Sequence, residues 1–225
     1  MNWNEFNSET TLELSLLKRI ELQLQISIKS RGFAKLLLSG GSTPMNLYRK
    51  FKSFSIDWKK VHIGLVDERW VENESKDSNY KNIKAALGDE IIAKSSFIPM
   101  VYDLESEDVN LSLCRKRNNA FLDQKTIVLL GMGTDGHTAS LFPNTLSTET
   151  ALSAIQPDIQ TNEAPSKPIK RITHNLKSLL NTQKLLLYVK GEKKKEVINN
   201  ARENLLPISY CINSHSADLE IFWSP

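Results

Sequence analysis

IVLLGMGTDGHTASLFP, residues Ile127 to Pro143, is the stretch on which the fold turns. A short apolar run with a β-branched start stops abruptly at Gly131, and three glycines then flank Asp135 and His137. A buried parallel strand hands over to a loop in this way at its carboxyl end, where open α/β sheets place their ligands. Gly131, Gly133 and Gly136 are expected to take positive φ and to let a substrate approach closely. Thr138 or Ser140, just beyond His137, is positioned to begin a helix. A titratable imidazole on a glycine-built loop is a candidate general base. The competing reading is a surface histidine in a tight turn, and the chemistry of the loop favours the base.

Outward from this stretch, strand-like and helix-like segments alternate. Glu9 to Lys29 carries two patterns at once. Ile20, Leu22, Leu24, Ile26 and Ile28 alternate like a strand, while Leu12, Leu16, Ile20, Leu24 and Ile28 repeat like a helix. Some twenty residues without a turn signal are too long for one strand, so a helix is expected, closed by Arg31-Gly32. Strands are then expected at Ala34 to Ser39, Val61 to Val66, Phe97 to Met100, Ile127 to Leu130, Leu185 to Val189 and Leu219 to Trp223. Helical segments are expected at Pro44 to Phe51, Asn79 to Leu87, Glu107 to Leu122, and from Gly191 to about Asn204. This alternation predicts an α/β fold: a mainly parallel sheet flanked by helices on both faces, Rossmann-like in kind. Thr145 to Lys170, broken by Pro157, Pro165 and Pro168, reads as a surface excursion and a candidate lid. No linker divides residues 1–225, so a single domain is expected.

Composition excludes several classes. Net charge is only +3 and spread along the chain, so nucleic acid is not an expected partner. No apolar run approaches the ~18 residues of a membrane span. The opening MNWNEFNSETT is polar and acidic, unlike a secretory signal. Two cysteines without metal-ligand spacing are expected to be reduced thiols in a cytoplasmic protein. No HxxxH, CxxC or carboxylate cluster suggests a metal. Trp3, Trp58, Trp70 and Trp223 read as packing residues, and His62, His174 and His215 as structural or exposed.

Further segments carry chemistry. Ser39 to Pro44 reads SGGSTP: Gly40 and Gly41 permit a tight turn, and Ser42 or Thr43 can cap a helix that Pro44 opens. Free amides at that helix start suit a phosphate, with a well-capped helix lacking any ligand as the equal alternative. Neither GxxxxGK[ST] nor GxGxxG is present, so a nucleotide is not expected. Asp67-Glu68-Arg69 follows the strand VHIGLV. Alone it would be a solvated turn, but in a parallel sheet it falls at the same edge as the glycine loops. Arg69 is then a candidate for a phosphate or a developing oxyanion, and Asp67 for a hydroxyl or for orienting a histidine. Glu68 is expected to face water. Lys167 and Arg171, around a proline-rich strand start, are surface charge or anion ligands. Lys194 is expected on a solvated helix face.

These segments in this order resemble the 6-phosphogluconolactonase family. The match spans most of the chain: GGSTP, VHIGLVDERWV, SNY at Ser78 to Tyr80, GMGTDGHTASLFP, RIT at Arg171 to Thr173, and GEKKKEV from Gly191. DGHTASLFP is the most specific block. The resemblance implies a sugar-phosphate isomerase/deaminase-like sheet and no cofactor. Its implied reaction is hydrolysis of 6-phospho-D-glucono-1,5-lactone to 6-phosphogluconate in the oxidative pentose phosphate pathway, with a small sugar phosphate as the partner. It maps the catalytic histidine to His137 and the DER arginine to Arg69, with Asp135 either orienting His137 or capping the turn. Gly40, Gly41, Ser42, Thr43, Lys167 and Arg171 map to phosphate binding, and Asp67 and Gly133 to the substrate site. The chain departs from the family pattern at His174, at Lys125-Thr126, and at Ser224 after Trp223. A glucosamine-6-phosphate deaminase of the same general fold is the nearest alternative, but its loop continues IAFNEP where this chain reads TASLFP. A sugar-phosphate-binding protein without catalysis is the second.

Overall fold

The computed structural model describes residues 2–214 and 216–225; His215 lies outside them. In chain order the elements are β1 (Asn2–Glu5), α1 (Glu9–Arg31), β2 (Ala34–Leu38), α2 (Met45–Arg49), β3 (Val61–Leu65), β4 (Asp67–Arg69), α3 (Asn79–Leu87), α4 (Asp89–Lys94), β5 (Ser96–Phe97), α5 (Glu107–Arg117), β6 (Lys125–Leu130), α6 (Leu146–Ser153), β7 (Ile159–Glu163), β8 (Lys170–His174), α7 (Leu176–Leu180), β9 (Thr182–Lys190), α8 (Glu192–Asn200), α9 (Pro207–Ile212) and β10 (Asp218–Ser224). Among the described residues, seven strands form one sheet in the order β1-β10-β9-β6-β2-β3-β5, with every pairing parallel.

The central strands are apolar because they are covered on both faces. Along β2, Leu36 and Leu38 pack into one core with α1, α3 and α5, while Leu37 packs into the other with α7, α8 and α9. Val128 and Leu130 of β6 likewise oppose Ile127 and Leu129. α1 resolves its double pattern as a helix: Leu12, Leu16, Ile20 and Leu24 are fully buried, whereas Leu22 and Ile26 are exposed. Ser8 caps its first turn, and Gly32 ends it at φ 83°. Cys114 and Cys211 are free, and burial pushes both thiols up to about 12. No helix among the described residues is long and apolar enough to cross a membrane.

Several features depart from the sequence reading; among them β5 is Ser96–Phe97 rather than Phe97 to Met100. β1 was not expected; its short polar run is held at the sheet edge by parallel pairing with β10. Asp67-Glu68-Arg69 is not the tail of β3 but a separate strand. It pairs antiparallel with β8, and β8 with β7, in a second sheet of order β4-β8-β7. Thr145 to Lys170 is therefore not a loose excursion, since it supplies α6 and β7. α5 also stops at Arg117, five residues short of Leu122. Asn118 is buried there, and its side-chain amide donates to Pro99 O and Cys114 O instead of extending the helix.

The connectivity sets the position of the site. From β2 the chain adds β3 and β5 on one side, then crosses back to lay β6 on the other side of β2. That reversal opens a crevice between the carboxyl ends of β2 and β6, and the glycine loops emerge there.

Candidate active site

A cavity of about 510 Å³ fills this crevice. Its walls include Gly40 to Thr43 after β2, Asp67 and Arg69 of β4, Gly133 and His137 after β6, and Lys167 and Arg171 around the start of β8. Segments distant in sequence thus converge, because parallel strands end at one edge and the β4-β8 pairing folds the second sheet over it. Ser39 links the two principal loops: its Oγ donates to Leu129 O at 2.8 Å and accepts from Gly131 N at 3.2 Å.

The loop after β6 is built around the histidine. Gly133 N donates to His137 O at 2.9 Å, and Gly136 N donates to Gly133 O at 3.1 Å. Of the three glycines, only Gly136 has positive φ, at 80°. Gly133 is needed for space: a Cβ there would lie 2.3 Å from His137 Nδ1 and 2.4 Å from Asp135 Oδ1. Ala139, not a glycine, takes φ 50°. No helix begins at Thr138 or Ser140, since both side chains are spent within the fold. Thr138 Oγ1 donates to Gly131 O at 2.9 Å, and Ser140 Oγ donates to Asp67 Oδ2 at 2.6 Å. The next helix, α6, starts at Leu146 with Thr145 as its cap.

His137 Nδ1 stands 2.6 Å from Asp135 Oδ1. A carboxylate only accepts, so the proton lies on Nδ1 and Nε2 keeps the basic lone pair. The Phe142 ring, 4.6 Å away centroid to centroid, flanks the imidazole. Burial raises the Asp135 carboxyl, but the hydrogen bond and charge of His137 outweigh it, and the net shift is downward. Asp135 Oδ1 also accepts from His137 N at 3.2 Å, so one carboxylate oxygen both caps the turn and hydrogen-bonds the imidazole. Asp67 Oδ2 accepts from Ser140 Oγ at 2.6 Å, and among the described residues Asp67 makes no hydrogen bond to the imidazole.

The cations have a different logic. Arg69 and Arg171 stand directly opposite each other in the β4-β8 register. Like charges in that relation repel, and neither makes a salt bridge among the described residues. Arg69 Nη1 donates to Asp77 O at 2.8 Å and Arg171 Nε to Pro168 O at 2.8 Å, so most of their N–H groups remain available. Burial and then the charge of Arg69 lower the Arg171 guanidinium, with Asp67 and Glu68 opposing. Lys167 is exposed at the rim, whereas Lys170 turns away to Glu107 and the Trp70 ring.

Several site residues differ from their sequence reading. Glu68 does not face water: it is fully buried and accepts from Arg69 N, Ser78 Oγ, Asn79 N and Tyr80 N at the start of α3. Burial pushes its carboxyl up while those four donors hold it down. Lys194 lines the cavity rather than a solvated helix face, and burial lowers its ammonium, helped by Lys190. Neither Ser42 nor Thr43 caps α2; Pro44 holds the N-cap position without a side-chain bond, and α2 is only five residues long. His174 is fully buried against Ser178. Asn79, Tyr48 and Tyr188 also line the cavity and were not singled out from the sequence. For Asn79 the only signal was its place in SNY; the tyrosines offered none, since their neighbours are ordinary core residues.

Comparison with known proteins agrees with the fold. The family model described as glucosamine-6-phosphate isomerases/6-phosphogluconolactonase matches residues 7–223. A 6-phosphogluconolactonase from Rhizobium meliloti (strain 1021) is 33% identical, covering 100% of this chain and 99% of that protein. One from Helicobacter pylori (strain ATCC 700392 / 26695) is 32% identical over 98% of this chain and 96% of its own. The crystal structure of a 6-phosphogluconolactonase from Shewanella baltica OS155 superposes with TM-score 0.93 at 30% identity, covering 100% of this chain and 98% of that one.

Proposed function

The chain belongs to the family of glucosamine-6-phosphate isomerases and 6-phosphogluconolactonases, and on that premise we propose that it hydrolyses 6-phospho-D-glucono-1,5-lactone to 6-phospho-D-gluconate. One observation carries the reading. The same cavity holds an imidazole whose basic nitrogen is set by Asp135 and an opposed pair of arginines that make no salt bridge among the described residues. The first is the equipment of a base acting on water; the second awaits an anion. Relatives named 6-phosphogluconolactonase match over the full length, which selects this reaction within the family.

In the proposed mechanism, Arg171 and Lys167 hold the phosphate together with the backbone amides and hydroxyls of Gly40 to Thr43. A phosphate dianion beside Arg171 offsets the repulsion between that guanidinium and Arg69. His137 Nε2 takes a proton from water as the water oxygen bonds to the lactone carbon. Arg69 faces the carbonyl oxygen, where one good donor contributes roughly 3 kcal/mol to the transition state. As the bond from that carbon to the ring oxygen breaks, His137 returns the proton to the ring oxygen, and the freed acid ionises. Asp135 keeps the imidazole oriented throughout. Asp67, fixed by Ser140, is left to accept from a sugar hydroxyl, and Gly133 gives the imidazole its room. Residues 1–225 act as one domain in this reading, and the protein works in the cytoplasm with both cysteines reduced.

The test is to generate the lactone in situ and follow acid release at constant pH, for wild type and His137→Ala. The enzymatic rate should fall by at least ~10³-fold, the scale on which such a base acts, while 6-phosphogluconate still binds. Equal rates would remove His137 from the mechanism. Ammonia release from glucosamine 6-phosphate with no effect on lactone decay would reassign the chain within its family.

A further inference from the structure

We propose that Asn79 is a positioning residue that sets the distance between the Gly40–Thr43 loop and the strand carrying Asp67 and Arg69. The inference deepens the proposed function and rests on it for the identity of the substrate. Asn79 opens α3, is 2% exposed, and lines the cavity between those two segments. On one side its Nδ2 donates to Asp67 O at 3.0 Å, and its own N–H donates to Glu68 Oε1 at 2.7 Å. On the other side it meets Gly40, where a Cβ would lie 1.9 Å from Asn79 Oδ1 and 2.2 Å from Cγ.

Two details separate this contact from ordinary packing. Among the described residues Asn79 Oδ1 is buried without a hydrogen-bond partner, a condition folding normally avoids. Turning the amide over would not relieve it, because Oδ1 would then face Asp67 O, acceptor against acceptor. The side chain thus keeps an unpaired oxygen against Gly40 in order to keep its bond to β4. Gly40 is also not among the glycines with positive φ. Its lack of a side chain is required by the space that Asn79 fills, not by the backbone. Asn79 and Gly40 therefore form one unit: a strut of fixed length between the loop amides and the Asp67–Arg69 strand.

The unit predicts a specific non-additivity. Gly40→Ala, Asn79→Ala and the double variant are compared by calorimetric binding of 6-phosphogluconate and of inorganic phosphate, by KM and kcat on the lactone, and by Tm. Gly40→Ala should weaken 6-phosphogluconate binding by at least ~30-fold, since the new methyl can be housed only by displacing Asn79 or the loop. Asn79→Ala should raise KM by roughly tenfold and change kcat by less than about threefold. The double variant should bind at least ~3-fold more tightly than Gly40→Ala alone, back to about the level of Asn79→Ala, because the space is then free. If Asn79→Ala does not fold, Asn79→Asp takes its place in the KM comparison: it keeps the bulk, loses the Nδ2 donor and should also raise KM. A double variant no better than Gly40→Ala, or an Asn79 variant with unchanged KM and affinity, overturns the proposal. A wild-type protein that binds phosphate ligands without hydrolysing the lactone would defeat the proposed reaction while the binding cycle still decides the strut. Failure of wild type to bind either ligand overturns both.

Discussion

Gly133→Ala isolates the geometry of the base from its chemistry. A Cβ at residue 133 would lie 2.3 Å from both Nδ1 and Cε1 of His137 and 2.4 Å from Asp135 Oδ1. Ordinary contact begins at 3.4 Å, so the imidazole must retreat by about 1 Å or the loop must open by as much. The backbone itself tolerates alanine, since Gly133 is not at positive φ. The ring cannot simply slide, because Phe142 packs against it at 4.6 Å and the new methyl also crowds the Asp135 carboxylate that orients it. A displacement of ~1 Å from productive alignment costs on the order of 10²-fold in rate, or about 2.7 kcal/mol in the barrier. The expected result is a hundredfold loss of kcat, 6-phosphogluconate affinity within about threefold of wild type, and a small change in Tm. Acid release from lactone generated in situ, corrected for spontaneous hydrolysis, measures it. Activity within threefold of wild type would show that the tight seat of His137 on Gly133 is irrelevant to the chemistry.

Two further outcomes follow from the charge arrangement. Arg171→Ala should raise KM by at least ~10-fold with a smaller effect on kcat, and it should not lower Tm in the absence of ligand, because it removes one of two opposed like charges; a clear loss of Tm would show that the pair is structural. His174 is fully buried, and burial, helped by Lys125, depresses its imidazole well below the ordinary value. The unfolded chain therefore binds the proton more readily, so the stability that rests on neutral His174 is present above about pH 6.5 and is lost as pH falls towards the depressed value. Melting from pH 8 to pH 5 should show Tm falling on the acid side, and His174→Leu should flatten that limb; an unchanged slope would exclude His174 as its source.

Much of this was legible in the chain before it was folded. Local patterns located α1, the strands at Ala34, Val61, Ile127, Leu185 and Leu219, and the glycine loops that follow them. They also placed Gly40 to Thr43, Arg69 and His137 at one edge, because parallel strands share their carboxyl ends. Legibility failed where the partner was remote. Glu68 looked like a solvated charge because the four donors that bury it come largely from α3, ten residues on. Lys194 looked like helix surface because nothing local says that the first turn of α8 borders a cavity. β7 is polar and irregular in sequence, and only its pairing with β8 makes it a strand. Asp135 carried two readings, and both hold: Oδ1 meets His137 Nδ1 at 2.6 Å and also accepts from His137 N at 3.2 Å as a turn cap.

The sequence by itself determined the layers, the sheet edge and the chemical types gathered there, because hydrophobic period, glycine and proline act over a few residues. Only the tertiary structure decided that Gly133 yields its side chain to His137 and Gly40 to Asn79. It also decided that Asp67 serves Ser140 rather than the imidazole, and that Arg69 faces Arg171 across a second sheet. Each of those facts is a distance between atoms that the chain brings together only by closing long loops, and no local pattern encodes such a distance.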